Sequence, residues 1–379
     1  MYCYADKSGG IWYICKGFFR LIISNVCERE RFMTTIRIFY FSGTGNAKKI
    51  ALWFSEIAEK KGIDVQLLNI AKINKGEIKT ISSGELIVII SPIHGFHYPP
   101  IMLKFIKHFP EGNNNVVLMN TRGGLKIGNI VTPGLSGASF ICSSFVLRKK
   151  GYKIKGQIPF DMPSNWISIH PALTGKAAKF IDEKNYKKVE KHAGIILSEQ
   201  SDFLARRDLI QDILFFPVSL AWYLGGRFFF AKSYYATNAC NNCGICEKEC
   251  PVHAIKESDS LPFWTYRCES CMKCMNICPK QAIETAHGLW ALLIVVSSLL
   301  SGLFCKIVNT SNHTALVKFS VFSAIFFLLL FIFYRIHHLL LKNKFIRKLV
   351  ALTSLTHYKF WGRFDNNYIF STANKNKST

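Results

Sequence analysis

The chain has 379 residues, enough for two globular domains with appendages. Its 48 Lys and Arg against 24 Asp and Glu give a formal charge of +24, within a composition that is 49% apolar. Such a charge invites nucleic acid, yet no aromatic-basic RNA motif or DNA-reading helix pattern is present; the reading is no nucleic acid, with anionic lipid and acidic protein partners instead. The 13 cysteines are no disulfide framework, because eight fall in two regular runs while Cys3, Cys15, Cys27, Cys142 and Cys305 are scattered.

In residues 1–33 the apolar stretch 11–26 is broken by Lys16 and Arg20, and no small-residue cleavage site follows. The segment is expected to be a leader or a mis-assigned start, not a signal peptide. From Ile36 to Phe41 the chain predicts a buried β-strand that leads into Ser42-Gly43-Thr44-Gly45-Asn46, and residues 47–61 have helical periodicity. A strand, a Gly-rich turn and a helix N-terminus make a phosphate cradle, to which Ser42, Thr44 and Asn46 add side-chain donors. No Lys-Ser/Thr pair and no third glycine follows, so neither the P-loop nor the dinucleotide fingerprint applies. Further strands are expected near 64–68, 86–90, 116–119 and 152–158. Residues 34–200 are thus expected to be an α/β domain with a doubly wound parallel sheet.

This loop resembles the phosphate loop of the flavodoxins, Ser/Thr-x-Thr-Gly-Asn-Thr, with Ala47 here in place of the last Thr. The resemblance implies a flavodoxin-like fold and FMN, its phosphate held by Ser42, Gly43, Thr44, Gly45, Asn46 and Ala47. Ligands of such sheets lie beyond the carboxyl ends of the strands. The expected isoalloxazine contacts are therefore Pro92, His94, Gly95 and Phe96 from one loop and Asn120, Thr121, Gly123 and Gly124 from another. Gly95 is the expected flexible peptide beside the flavin N5, and Phe96, His94 or Tyr98 the stacking residue. Related fusions usually carry Tyr where His94 stands. His94 and His97 read as polar loop residues, and no catalytic residue is assigned.

Residues 201–233 read as a packed connector, since the apolar stretch 212–230 is interrupted by Pro217, Gly225-Gly226 and Arg227, with a third span as the alternative. Beyond it stand Cys240-x-x-Cys243-x-x-Cys246-x-x-x-Cys250-Pro251 and Cys268-x-x-Cys271-x-x-Cys274-x-x-x-Cys278-Pro279. This is the spacing of two [4Fe-4S] clusters, where three thiolates wrap one cube and the fourth reaches the other. Cys240, Cys243, Cys246 and Cys278 are assigned to cluster I, and Cys268, Cys271, Cys274 and Cys250 to cluster II. Zinc closes its shell with four ligands and needs no third cysteine at the same step. Residues 234–287 resemble a bacterial-type two-cluster ferredoxin, down to Ala254-Ile255 and Ala282-Ile283. The domain order then resembles the flavodoxin-ferredoxin fusions of anaerobic bacteria and archaea, with Met162-Pro163-Ser164-Asn165-Trp166 and Pro262-Phe263-Trp264 as further shared features. The resemblance implies a small α+β ferredoxin domain and electron transfer, with redox proteins or a quinone as partners.

Residues 289–305 hold 17 residues without a charge and residues 319–334 another 16. Within 288–336 they predict a transmembrane helical hairpin. Nine basic residues follow Tyr334 against one acid, whereas only Lys306 and Lys318 flank the connecting loop. That bias places the soluble domains and the C-terminus in the cytoplasm, on the side where reduced thiolates survive, and makes the chain a multi-pass protein of the cell membrane. In the basic tail, 337–379, residues 335–355 read as an interfacial helix, with Phe345, Leu349 and Leu352 on one face and Lys342, Lys344, Arg347 and Lys348 around it. The expected function is a membrane-anchored electron carrier between FMN and two [4Fe-4S] clusters. Its alternative is an FMN-dependent reductase of a quinone or small acceptor fed by the clusters.

Overall fold

The computed structural model describes residues 35–73, 81–307 and 315–362. The expected leader lies outside them. The first element, β1 (Thr35–Tyr40), runs parallel between β2 (Asp64–Asn69) and β3 (Leu86–Pro92), and the sheet continues through β4 (Asn115–Gly124) to β5 (Lys153–Pro163). The order β2-β1-β3-β4-β5 puts the change of winding direction between β1 and β3. Parallel strands of this kind must be buried on both faces, which explains why Leu86 to Ile90 reads as an unbroken apolar run. On one face Ile36, Ile38, Val88, Ile90 and Val117 meet α1 (Asn46–Glu59) and α4 (Gly175–Leu197). On the other, Phe39, Phe41, Ile87, Ile89 and Leu118 meet α2 (Pro100–His108) and α3 (Ala138–Lys149).

Two strands are longer than the sequence pattern predicts. The pattern turns polar at Asn120, and prolines stand at 159 and 163, but β4 and β5 stay paired to Gly124 and Pro163, with Arg122 opposite Asp161 in register. Phe160 and Met162 stay buried in the core there, and an ion pair crosses the ladder beside them: the Arg122 guanidinium donates to Asp161 from Nε at 2.7 Å and from Nη2 at 3.2 Å. Asn120, Thr121, Gly123 and Gly124 are thus strand residues and not loop residues.

The connector contains α5 (Leu209–Leu214), α6 (Phe216–Ala221), a π-turn over Trp222–Gly226 and α7 (Arg227–Lys232). It is less packed than expected, because Ile210, Leu214 and Leu224 are 78%, 70% and 65% exposed. The cysteine module follows. Its outer strands β6 (Tyr234–Ala236) and β9 (Ile283–Thr285) pair antiparallel. Between them lie α8 (Ile245–Lys248), the hairpin of β7 (Ile255–Ser258) with β8 (Leu261–Trp264), and α9 (Lys273–Ile277). Its core is Tyr234, Ala254, Ile255, Trp264, Met272, Met275 and Ile283, joined by Ile167 from the α/β domain.

Two helices, α10 (His287–Ile307) and α11 (Ala315–Leu340), are long and apolar enough to cross a membrane. The second ends at Leu340, so the single helix expected over 335–355 is broken. Asn343 accepts the Phe345 N–H at 2.8 Å and starts a new helix, α12 (Lys344–Leu352). Phe345 and Leu352 are exposed as expected, but Arg347 turns inward and donates to the Asn238 side chain at 2.6 Å. The chain then returns over the cysteine module: the Thr285 N–H donates to the Thr356 hydroxyl, and the Trp361 indole to the Ile167 carbonyl at 2.6 Å.

Candidate cofactor sites and their contact

At the carboxyl end of β1 the chain turns through Ser42 to Gly45. Gly45 has φ 108°, and its N–H donates to the Ser42 hydroxyl at 3.1 Å. Among the described residues no side chain caps the helix that follows, and its first turn holds no acid, so its leading N–H groups and positive dipole end stay open to an anion. The Asn46 side chain is used elsewhere, donating to the Pro163 carbonyl at 2.9 Å. A cavity of about 110 Å³, partly open to solvent, lies over this loop. Ser42, Gly43, Thr44, Asn46 and Ala47 line it from below, with Pro92, His94, Gly95, Thr121 and Gly123 to the side.

Not every expected contact reaches it. The Phe96 ring packs on Phe215, 5.2 Å between centroids. Tyr98 is buried in the core with its hydroxyl donating to the Met119 carbonyl, so it is not a stacking residue. Asn120 is buried against Ser136 and Ser139, and Gly124 backs onto the Asp161 carbonyl. His94 to His97 form a tight turn closed by the His94 N–H to the His97 carbonyl at 2.8 Å, with positive φ at both Gly95 and Phe96. Burial pulls the His94 and His97 imidazoles down to about 4, so both are neutral near pH 7. The buried His94 Nδ1 has no hydrogen-bond partner among the described residues, leaving a polar atom beside the cavity for a ligand.

The remaining walls come from segments to which the sequence analysis gave no flavin contact. Trp222 of the connector lies so close over Gly95 that a Cβ there would fall 1.9 Å from the indole. Trp166 stands beside it, 5.1 Å away and edge-on. Across the cavity are Ser270, Cys271 and Met272 of the cysteine module. A Cβ on Gly43 would sit 2.9 Å from both the Cβ and the carbonyl oxygen of Cys271, so the phosphate-type loop and a cysteine loop touch through a glycine.

The eight regular cysteines form two groups. The Cys246 thiol interacts electrostatically with Cys240, Cys278 and Cys243, and the Cys274 thiol with Cys268, Cys271 and Cys250. Each run thus lends its fourth cysteine to the other. Burial pushes the Cys246 thiol up to about 11 and Cys271 up to about 12, so iron loading must expel protons. Backbone N–H groups already aim at sulfur, Ala254 at Cys250 (3.2 Å) and Ala282 at Cys278 (3.3 Å). The second group is interior, with Cys250 and Cys268 buried; in the first, Cys243 is exposed.

Residues 37–123 match the flavodoxin domain family, and residues 239–283 match the 4Fe-4S dicluster domain family. The chain joins a flavodoxin domain to a 4Fe-4S ferredoxin domain. Over 29 residues it is 59% identical to a ferredoxin of Clostridium sp. (strain M-E) and 52% identical to one of Acetivibrio thermocellus; each match is 8% of this chain. The chain spans about half the length of these curated relatives, 53% in each case. Similar solved structures include an archaeal flavodoxin (17% identity, TM-score 0.27, 42% of this chain and 99% of that one). Another is Flavodoxin 1 of Bacillus cereus (11% identity, TM-score 0.29, 42% and 98%). FMN and [4Fe-4S] clusters are accordingly the cofactors of the two domains. The open helix end and orphan imidazole nitrogen suit the one, the paired sets of four thiols the other.

Proposed function

We propose that this is a membrane-anchored electron-transfer protein that passes electrons between FMN and two [4Fe-4S] clusters. One observation carries the reading: Cys271 packs on Gly43 of the phosphate-type loop and lines the same cavity. FMN exchanges one or two electrons when bound and each cluster one, so their juxtaposition matches two-electron to one-electron traffic. In this proposal Ser42 to Ala47 hold the phosphate, while Pro92, His94, Gly95, Thr121 and Gly123 border the ring with Trp222 and Trp166. Cys268, Cys271, Cys274 and Cys250 hold the cluster beside the flavin. Cys240, Cys243, Cys246 and Cys278 hold the outer one, where exposed Cys243 marks the docking side for a redox protein. The hairpin α10–α11 anchors both domains on the cytoplasmic face of the cell membrane.

Anaerobic purification with flavin, iron and sulfide analysis tests this. The expected yield is one FMN with about eight irons and eight sulfides per chain. In a redox titration followed by EPR, Cys271→Ala is expected to degrade the cluster beside the flavin and slow flavin reoxidation, and Cys243→Ala to degrade only the outer one. Stoichiometric zinc without sulfide would sink the assignment. A second reading, reduction of a quinone above the flavin, is favoured by Trp222, which brings a cavity wall from the apolar connector. Steady turnover with a quinone would establish it; exchange with proteins alone would exclude it.

A further inference from the structure

The connector presents its faces in the reverse of the usual order for a soluble linker. Its polar groups point at the flavodoxin domain: the Asp212 carboxylate accepts the Gly137 N–H at 2.7 Å, and the Ser219 hydroxyl donates to the Phe96 carbonyl at 2.8 Å. Apart from Phe215 and Trp222, which pack on Phe96 and over Gly95, its apolar groups point away. Leu209, Ile210, Ile213, Leu214, Val218 and Leu224 are each 45–78% exposed, and Asp212 is the only charged residue between Leu209 and Gly226. An exposed apolar surface of this length on a soluble face is an aggregation hazard, so something covers it.

What covers it follows from where the connector touches the hairpin. Gly225 abuts Phe327 of α11 so closely that a Cβ would fall 2.3 Å from the ring, and Phe229 packs on Phe326 and Trp290 at 5.4 and 5.0 Å. The ferredoxin domain meets the same helix at Tyr334, whose hydroxyl donates to the Trp264 carbonyl at 3.0 Å. Phe327 precedes Tyr334 by seven residues, about 10 Å of helical rise, so the connector touches α11 about that much deeper into the candidate span. Both connector ends are tied to the soluble domains: Asp208 pairs with Arg122 at 2.5 Å, and Lys232 donates to the Trp264 carbonyl. The helical segments before and after Phe215 bend by 73°. With both ends tied to the soluble domains and a sharp bend between, the geometry suits a segment that enters a bilayer and returns.

We propose that the connector is a third membrane-contacting element, a re-entrant helical pair whose exposed apolar face lies among acyl chains at the cytoplasmic interface. The proposal rests on the anchoring reading above and adds that the flavin cavity, through Trp222, has a wall carried by a lipid-embedded segment.

The test uses the full-length holoprotein in vesicles of ordinary phosphatidylcholine or of phosphatidylcholine brominated on its acyl chains. The fluorescent amino acid dansylalanine is placed singly at position 210, 214, 299 or 191. The ratio between the two vesicle types cancels quenching by the cofactors. Position 299 in α10 reports the hairpin, and position 191 in α4 reports solvent. The expected result is that probes at 210 and 214 lose emission to bromine much as the probe at 299 does, while the probe at 191 loses none. Quenching at 299 with none at 210 and 214 overturns the connector proposal alone and leaves the face to a protein partner or a second copy. No quenching at 299 overturns the anchoring reading and this proposal together. Two connector positions guard against one that perturbs folding, which retained flavin and iron absorbance reports.

Discussion

His97 keeps its Nδ1 as an acceptor for the Tyr98 N–H at 2.7 Å, a role open only to the unprotonated nitrogen. Its folded-state value of about 4, set by burial, lies below the ordinary 6.5, so the unfolded chain takes the proton first. The stability this group provides is complete above pH 6.5 and is lost as pH falls toward 4. Urea-induced loss of the bound-flavin circular dichroism is therefore expected at lower urea at pH 4.5 than at pH 7. In His97→Asn that difference should shrink by about 2 kcal/mol, allowing for partial exposure of the ring. Gly45 offers a second residue-scale test. At φ 108° a β-branched side chain is strained, so Gly45→Val is expected to abolish FMN binding while iron and sulfide stay at wild-type levels, as read by absorbance and metal analysis. The turn after β1 and the helix start at Asn46 were legible in the sequence because a strand, a Gly-rich turn and a helix N-terminus are local signals. Trp222 was not, since its place over Gly95 depends on how a distant segment folds back.

Among elements, the join of β4, β5 and the connector depends on Arg122. Its guanidinium is buried and shared between Asp161 at 2.7 Å and Asp208 at 2.5 Å, with Lys188 at 3.9 Å from Asp161. Removing one partner of a buried network leaves the others uncompensated. Arg122→Met is expected to destabilise the flavodoxin domain by about 3 kcal/mol in urea titration. Pairing it with Asp161→Asn should recover part of that loss, which a double-mutant cycle measures. The sequence pattern ended β4 early for the same reason. Alternation and apolar runs report burial against hydrocarbon, and a strand held by ion pairs looks like a loop. The succession of strands and the two apolar helices were legible because their signals are long. The break at Asn343 was missed because a single cap outweighs the helical periodicity on either side.

At the scale of the whole molecule, the contacts that bring the domains together also set their orientation to the hairpin. Gly43 meets Cys271, and Trp264 meets Tyr334 of α11, so the phosphate-type loop touches the cysteine module and the cysteine module touches a candidate span. Gly43→Val places a side chain against the Cys271 backbone, and is expected to slow flavin reoxidation by the clusters in stopped-flow without loss of iron. None of this contact was readable from sequence, because the two loops lie more than 200 residues apart and neither advertises its partner. The proposed topology rests instead on charge bias, which acts segment by segment. Thiolate clusters need a reducing compartment, and the basic tail resists translocation, so both ends of the hairpin are expected on the inside. A reporter fused after residue 312 should then read external and one fused after residue 379 cytoplasmic. The reverse pattern would place cluster-bearing cysteines in an oxidising compartment and overturn the anchoring reading; recovery of the intact chain wholly in the soluble fraction would show that α10 and α11 pack against protein instead of lipid.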